Sequence, residues 1–389
     1  MTHASASASA PGTPTVAIPA SLLPADGRFG SGPSKVRPEA VAALAGAADR
    51  FLGTSHRQEP VKEVVRRVRH GLAELFALPE GYEVLLGNGG ATAFWDAAAF
   101  GLVENRSRHL VCGEFSSKFA AVTAGAPHLA DPQVVGSDPG SRPPHSAGDD
   151  PGAYDAYAYP HNETSTGVML PVERPDGLAA GTLVLVDATS AAGGARVAPS
   201  AFDAYFFAPQ KCFSSDGGLW LALCSPAAVE RIERLASSGR WVPPSLDLSI
   251  ALGQSRLDQT YNTPALATLY LLAEQVGWML EHGGMEFSAG RCERSSSILY
   301  GWAEAHPLVT PYVGDPAARS TVTATLDLDA SVDAPEVCRV LRAHGIVDVE
   351  PYRKLGRNQI RVATFPSIEP ADVEALTRCL DVVIEALAA

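Results

Sequence analysis

Three apolar runs constrain this chain more than anything else in it: Leu183-Val184-Leu185-Val186-Asp187, Ala204-Tyr205-Phe206-Phe207, and Gly218-Leu219-Trp220-Leu221-Ala222-Leu223-Cys224. Each is short, and none alternates polar with apolar residues. A strand without a polar face has nothing to offer water and must be covered on both sides. That demands a sheet with helices above and below it.

The flanking segments fit. Tyr82 to Leu86, His109 to Cys112 and Ala156 to Tyr159 also read as strands. Helices are expected from Pro38 to Phe51, Val61 to Leu78, Ala93 to Leu102, Glu114 to Thr123 and Ala227 to Leu235. In the second of these, Val61, Val64, Val65, Val68, Leu72 and Leu75 recur at helical spacing, opposite Lys and Arg. The repeat of strand, polar end and helix predicts a mostly parallel, doubly wound α/β sheet. Residues 136–152 are rich in Pro, Gly, Ser and Asp and read as a surface loop.

After Thr263 the pattern changes. Two long helices, Ala265 to Met279 and Met285 to Ala305, precede a half-exposed strand from Thr321 to Leu328. A helix from Glu336 to His344, a strand from Gln359 to Ala363 and a helix from Ala371 to Ala388 follow. This is a smaller α+β domain. The expected division is a disordered Ala/Ser/Pro-rich tail at 1–20, a large domain at 21–270 and a small C-terminal domain at 271–389.

A net charge of −13 argues against nucleic acid as a partner, since phosphates need a basic face. No apolar run reaches the length of a membrane span, and the N-terminus has no signal-peptide pattern. Six cysteines at 112, 212, 224, 292, 338 and 379 show neither metal-finger nor redox spacing. They are expected as reduced thiols in a cytoplasmic protein that holds no metal.

Chemistry in such a sheet sits at the carboxyl ends of the strands. Tyr82 to Leu86 runs into Gly87-Asn88-Gly89-Gly90-Ala91-Thr92 and then a helix, whose free N–H groups can hold a phosphate. Asp187 and Lys211 lie 24 positions apart, each just beyond an apolar strand. If those strands are neighbours, a carboxylate and an amine face one pocket. Pyridoxal phosphate needs that pairing: an amine to bond its aldehyde and an acid to keep its ring nitrogen protonated. Phe115 could stack on the ring. Each residue also has an ordinary reading. Lys211 alone is a surface lysine after a strand, Phe115 a core residue, and Asp187 a helix cap. Arg57, Arg353 and Arg361 alone are surface cations, and Asn262-Thr263-Pro264 alone is a cap.

Taken in order, the chain resembles the phosphoserine aminotransferase family, class V of the fold-type-I pyridoxal-phosphate enzymes. The likeness rests on Ser31-Gly32-Pro33, Ser55-His56-Arg57, Gly89-Gly90-Ala91-Thr92, Asn162-Glu163-Thr164, Asp187 with Ser190, and Gln210-Lys211. Tyr261-Asn262-Thr263-Pro264, Arg353 and Arg361 complete it. The resemblance implies a transaminase that moves the amino group between glutamate and 3-phosphohydroxypyruvate, giving O-phosphoserine. Some members also act on a phosphorylated hydroxythreonine in vitamin B6 synthesis. It implies that Lys211 bonds the cofactor, Asp187 pairs with the ring nitrogen, and Thr164 meets the ring oxygen. Gly90, Ala91 and Gln210 would hold the phosphate. Asn262 and Thr263 would reach the phosphate of the neighbouring subunit in a homodimer with shared sites. Arg361 would take the substrate α-carboxylate, and His56, Arg57 and Arg353 the far anion. Two positions depart from the family pattern: Phe115 stands where tryptophan is usual, and Tyr352-Arg353 where many relatives carry His-Arg. The rivals are another class-V enzyme, such as an alanine–glyoxylate transaminase or a cysteine desulfurase, and a non-catalytic phosphate-ligand binder.

Overall fold

The computed structural model describes residues 16–388. Most of the expected tail, residues 1–15, lies outside the described residues. Of residues 16–20, Ile18 is buried and its N–H donates to His344, while Ala17, Pro19 and Ala20 are exposed.

The large sheet has seven strands. In chain order these are β1 (Glu83–Asn88), β2 (Ser107–Val111), β3 (Gln133–Gly136) and β4 (Ala156–Pro160). A small hairpin, β5 (Asn162–Glu163) with β6 (Val168–Met169), interrupts the series. The sheet then takes β7 (Leu183–Asp187), β8 (Ala204–Phe207) and β9 (Leu219–Cys224). The spatial order is β1-β9-β8-β7-β4-β2-β3. The run β8-β7-β4-β2-β3 is parallel, while β9 lies antiparallel to both its neighbours. As the three apolar runs require, every residue of β7, β8 and β9 is buried.

Helices cover both faces. One layer holds α1 (Pro38–Phe51), α2 (Glu59–Leu75) and, later in the chain, α7 (Leu266–Glu281); their core includes Val61, Val68, Leu72, Tyr205, Phe207 and Leu272. The other holds α3 (Ala91–Gly101), α4 (Glu114–Gly125), α5 (Pro226–Ala236) and α6 (Leu248–Arg256), with Phe94, Trp95, Phe206 and Trp220 among their buried residues. Phe94 packs on Phe206 with ring centroids 4.5 Å apart, which seats α3 over β8. Fully burying one such side chain contributes roughly 1.5–3 kcal/mol.

The second body pairs a three-stranded antiparallel sheet, β10 (Val309–Pro311), β11 (Thr323–Leu328) and β12 (Gln359–Ala363), with α8 (Gly284–Ala305), α9 (Ala334–Ala343) and α10 (Pro370–Ala388). Its core takes Phe29 and Ile18 from the start of the described chain. Buried residues of α7 belong to the large core and those of α8 to the small one.

Five of these elements were not expected from the sequence: β3, β5, β6, α6 and β10. Strand β3 lies in a stretch given no assignment, just ahead of the expected 136–152 loop; it is at the sheet edge and is four residues long with Val134 exposed. Hairpin β5–β6 has two residues per strand, and helix α6 only nine residues. Periodicity has too few repeats to speak in strands of two to four residues. All six cysteines are unpaired and buried. Among the described residues, no helix is long and apolar enough to cross a membrane.

Candidate active site

The parallel register of β7 and β8 pairs Asp187 with Phe206. Both strands therefore end at the same level, and the segments leaving them open on one cavity. The cavity has an empty volume of about 690 Å³ and is lined by Gly89, Gly90, Ala91, Thr92, Trp95, Phe115, Asn162, Thr164, Asp187, Thr189, Gln210 and Lys211, with Pro160. Seven of the thirteen residues singled out by the sequence line it: Gly90, Ala91, Phe115, Thr164, Asp187, Gln210 and Lys211; Arg361 is not in the lining but is tied to it, its Nη1 donating to the Thr164 carbonyl oxygen at 3.1 Å.

Lys211 leaves β8 after Ala208-Pro209-Gln210 and is half-buried. Its Nζ donates to the Ser31 carbonyl oxygen at 2.6 Å. Burial, then the positive charge of Arg361, lowers its pKa to about 8. A substantial fraction of the amine is thus neutral, and nucleophilic, near physiological pH.

Asp187 ends β7 and is buried. Its Oδ1 accepts from the Thr189 N–H at 3.0 Å and the Thr189 hydroxyl at 2.5 Å, and its Oδ2 from the Trp95 indole N–H at 2.8 Å. Burial pushes its pKa up, and the Thr189 and Trp95 donors oppose that. A buried acid with a raised pKa gains from a cation placed beside it.

Helix α3 starts at Ala91, two residues earlier than expected, behind Gly89 at φ 121° and Gly90 at φ 91°. No side chain caps it. The first N–H groups of a helix have no partners within it, so here they are offered to the cavity. Phe115 is the second residue of α4. Its N–H donates to Glu163 Oε1 at 3.3 Å, and Ser116 N–H and Oγ–H donate to Oε2 at 2.9 and 2.8 Å. A buried carboxylate on the hairpin thus caps the helix that carries the ring. Thr164 Oγ1 donates to Ser190 Oγ at 2.7 Å, and Asn162 Nδ2 donates to the same oxygen at 2.8 Å.

Around this site several buried polar atoms lack a protein partner: Ser31 Oγ, Asn162 Oδ1, Gln210 Oε1 and Arg361 Nε. Leaving such groups unsatisfied costs about 1–3 kcal/mol each, which a polar ligand removes. Uncapped helix N–H groups for a phosphate, a buried carboxylate for a cationic ring atom and a partly deprotonated lysine for an aldehyde together fit pyridoxal phosphate.

The remaining residues group elsewhere. His56 Nδ1 is 3.0 Å from Thr263 Oγ1. Arg57 donates to Gln254, Gln259 and the Tyr261 carbonyl. Burial, then Arg57, lowers the His56 pKa. Asn88, beside the Gly89–Gly90 turn, donates to the Asn262 and Thr263 carbonyls at 3.4 and 3.2 Å. His56, Arg57, Asn262 and Thr263 therefore form one cluster that does not line the cavity. Arg353 is exposed on the short helical turn Arg353–Leu355.

Sequence reasoning gave no role to Trp95, Thr189, Ser31, Glu163 or Tyr352. Thr189 comes two residues after Asp187, the spacing of a local side-chain turn, and was legible. Tyr352 lies under Arg361, 5.6 Å from guanidinium to ring, and 5.7 Å from Phe115 between ring centroids.

The Aminotransferase class-V family model matches residues 152–348. The chain is 57% identical to a phosphoserine aminotransferase of Nocardioides sp., over 96% of this chain and 100% of the relative. It is equally 57% identical to one of Rhodococcus jostii, with the same coverage. Among solved structures, a phosphoserine aminotransferase from Cytophaga hutchinsonii superposes with a TM-score of 0.83 at 25% identity, covering 92% of this chain and 99% of that one. With that fold, that site and that identity along nearly its whole length, the chain belongs to the phosphoserine aminotransferase family of class-V aminotransferases.

Proposed function

We propose that the cavity holds pyridoxal 5′-phosphate, and that with it this enzyme moves an amino group between glutamate and 3-phosphohydroxypyruvate to give O-phosphoserine and 2-oxoglutarate. The observation that carries the reading is the placement of Asp187 and Lys211 at adjacent strand ends on one cavity with an uncapped helix N-terminus.

When bound, the cofactor supplies an aldehyde for an amine and a ring that accepts the electrons left when substrate Cα loses a proton. The chain's own residues do the rest. Gly90, Ala91 and Gln210 hold the phosphate, Phe115 stacks on the ring, and Thr164 orients the ring oxygen. Asp187 holds a proton on the ring nitrogen through charge. Lys211 would be the amine that holds the aldehyde, and its Nζ, once freed, would carry the proton to and from substrate Cα. Arg361 forks onto the α-carboxylate. Phe115, the Asn162–Thr164 hairpin and Arg361 close round the reacting atoms and exclude water.

His56, Arg57 and Arg353 bind the far anion, a phosphate in one substrate and the γ-carboxylate in glutamate. Asn262 and Thr263 reach a phosphate group in a second subunit. The cluster of His56, Arg57, Asn262 and Thr263 away from its own cavity supports a homodimer in which each chain completes the other's site. Six unpaired, buried thiols support the cytoplasm as its compartment.

The test compares 3-phosphohydroxypyruvate with hydroxypyruvate as acceptor from glutamate. The phosphorylated acceptor is expected to react with a far higher kcat/KM. Equal values would remove the far-anion role of His56, Arg57 and Arg353.

A further inference from the structure

Helix α3 touches the cavity twice. Its first residues, behind Gly90, offer N–H groups to it. One turn later Trp95 sends its indole N–H to Asp187 Oδ2, 2.8 Å away. Trp95 is 3% exposed, and its ring lies parallel to Phe119 of α4 with centroids 6.0 Å apart. Phe119 stands one turn after Phe115 on that helix. The indole is thus wedged between the helix that cradles the phosphate and the helix that carries the stacking ring.

An indole N–H can only donate, and it has one partner here. Asp187 has one other side-chain donor, Thr189, which lies on its own loop and moves with it. Trp95 is the donor that ties the carboxylate to a separate element.

We propose that Trp95 is a positioning residue for the reaction, fixing the Asp187 carboxylate toward the ring nitrogen and holding it in register with the phosphate cradle through α3. This rests on the role given above to Asp187. Burial and the donors act in opposition on that carboxyl: burial favours the neutral acid, Trp95 and Thr189 the charged form. Without the indole, the carboxylate loses a buried, charge-assisted bond and one constraint on its rotamer.

The experiment titrates pyridoxal phosphate into apoenzyme, following the visible band, for wild type, Trp95→Phe, Asp187→Asn and the double variant. Phenylalanine keeps an aromatic ring near Phe119 but removes the N–H together with the rest of the five-membered ring, and the Asp187→Asn background separates the lost bond from the lost volume. Trp95→Phe should bind the cofactor about ten- to a hundred-fold more weakly, the range of one hydrogen bond to a buried charge. Its kcat should fall while KM for glutamate holds. In the Asp187→Asn background the same substitution should cost clearly less, because the charge it served is gone. A folded Trp95→Phe with wild-type cofactor affinity, or with the same loss in both backgrounds, overturns the proposal. If Asp187→Asn itself leaves affinity and band unchanged, the Asp187 role fails, and the proposal with it. Should Trp95→Phe not fold, the indole N–H resonances of the five tryptophans in tryptophan-labelled apoenzyme give the answer. One of them should shift upfield on Asp187→Asn; no shift overturns the proposal.

Discussion

The amine of Lys211 lies against Gly32: a Cβ built on that glycine would fall 2.0 Å from Nζ. Gly32 is therefore the floor on which the lysine rests, and the amine reaches the Ser31 carbonyl across it. The φ of Gly32, +145°, is also one that side-chain-bearing residues rarely adopt. Gly32→Ala should destabilise the apoenzyme by about 1–3 kcal/mol of backbone strain. It should also cut cofactor retention at least tenfold, measured as the visible band remaining after desalting.

The lowered pKa of Lys211 makes a signed prediction. An unfolded lysine holds its proton to about pH 10.4; the folded one releases it near 8. Between these values the unfolded chain binds more protons, so stability must rise with pH across that window. Apoenzyme should gain stability from pH 8 to 10 relative to Lys211→Met, in denaturant unfolding. Because Arg361 helps to depress the value, Arg361→Gln should move the midpoint of Lys211 acylation to higher pH.

Tyr352 sits between Arg361 and Phe115. A guanidinium over a ring contributes about 0.5–1 kcal/mol at an accessible site. Tyr352→Ala should raise KM for glutamate roughly two- to fivefold on that basis. Tyr352→Phe, which keeps the ring, should stay near wild type. Steady-state kinetics of the two variants decides between ring and hydroxyl.

The shared sites proposed above predict complementation. Lys211→Ala and Arg57→Ala each damage every site in their own homodimers. In a mixed dimer, one site combines an intact Lys211 with an intact Arg57 from the other chain. Unfolding and refolding an equal mixture should restore about a quarter of wild-type activity, since half the dimers are mixed and each has one good site. No recovery would place Arg57 in its own subunit's site.

How far the sequence reached depended on distance along the chain. Strands β7, β8 and β9 were legible because their burial is written in consecutive residues. The glycine turn between β1 and α3 was legible because Gly89, Gly90 and the helix after it are contiguous. That Asp187 and Lys211 meet required only that their strands be neighbours, which they are. The bond from Trp95 to Asp187 joins residues 92 apart and depends on how α3 rolls over the sheet, which no local pattern encodes. In the same way, nothing near His56 in the sequence tells of Thr263, yet the fold puts their side chains in contact.

Everything proposed for the site depends on Lys211 being the residue that bonds the cofactor. Chemical reduction of the holoenzyme, with peptide mass spectrometry of the product, tests it most directly. The cofactor-derived mass should appear on the peptide holding Lys211, and should be absent from Lys211→Ala. Its appearance on any other lysine, or on none, would contradict that assignment.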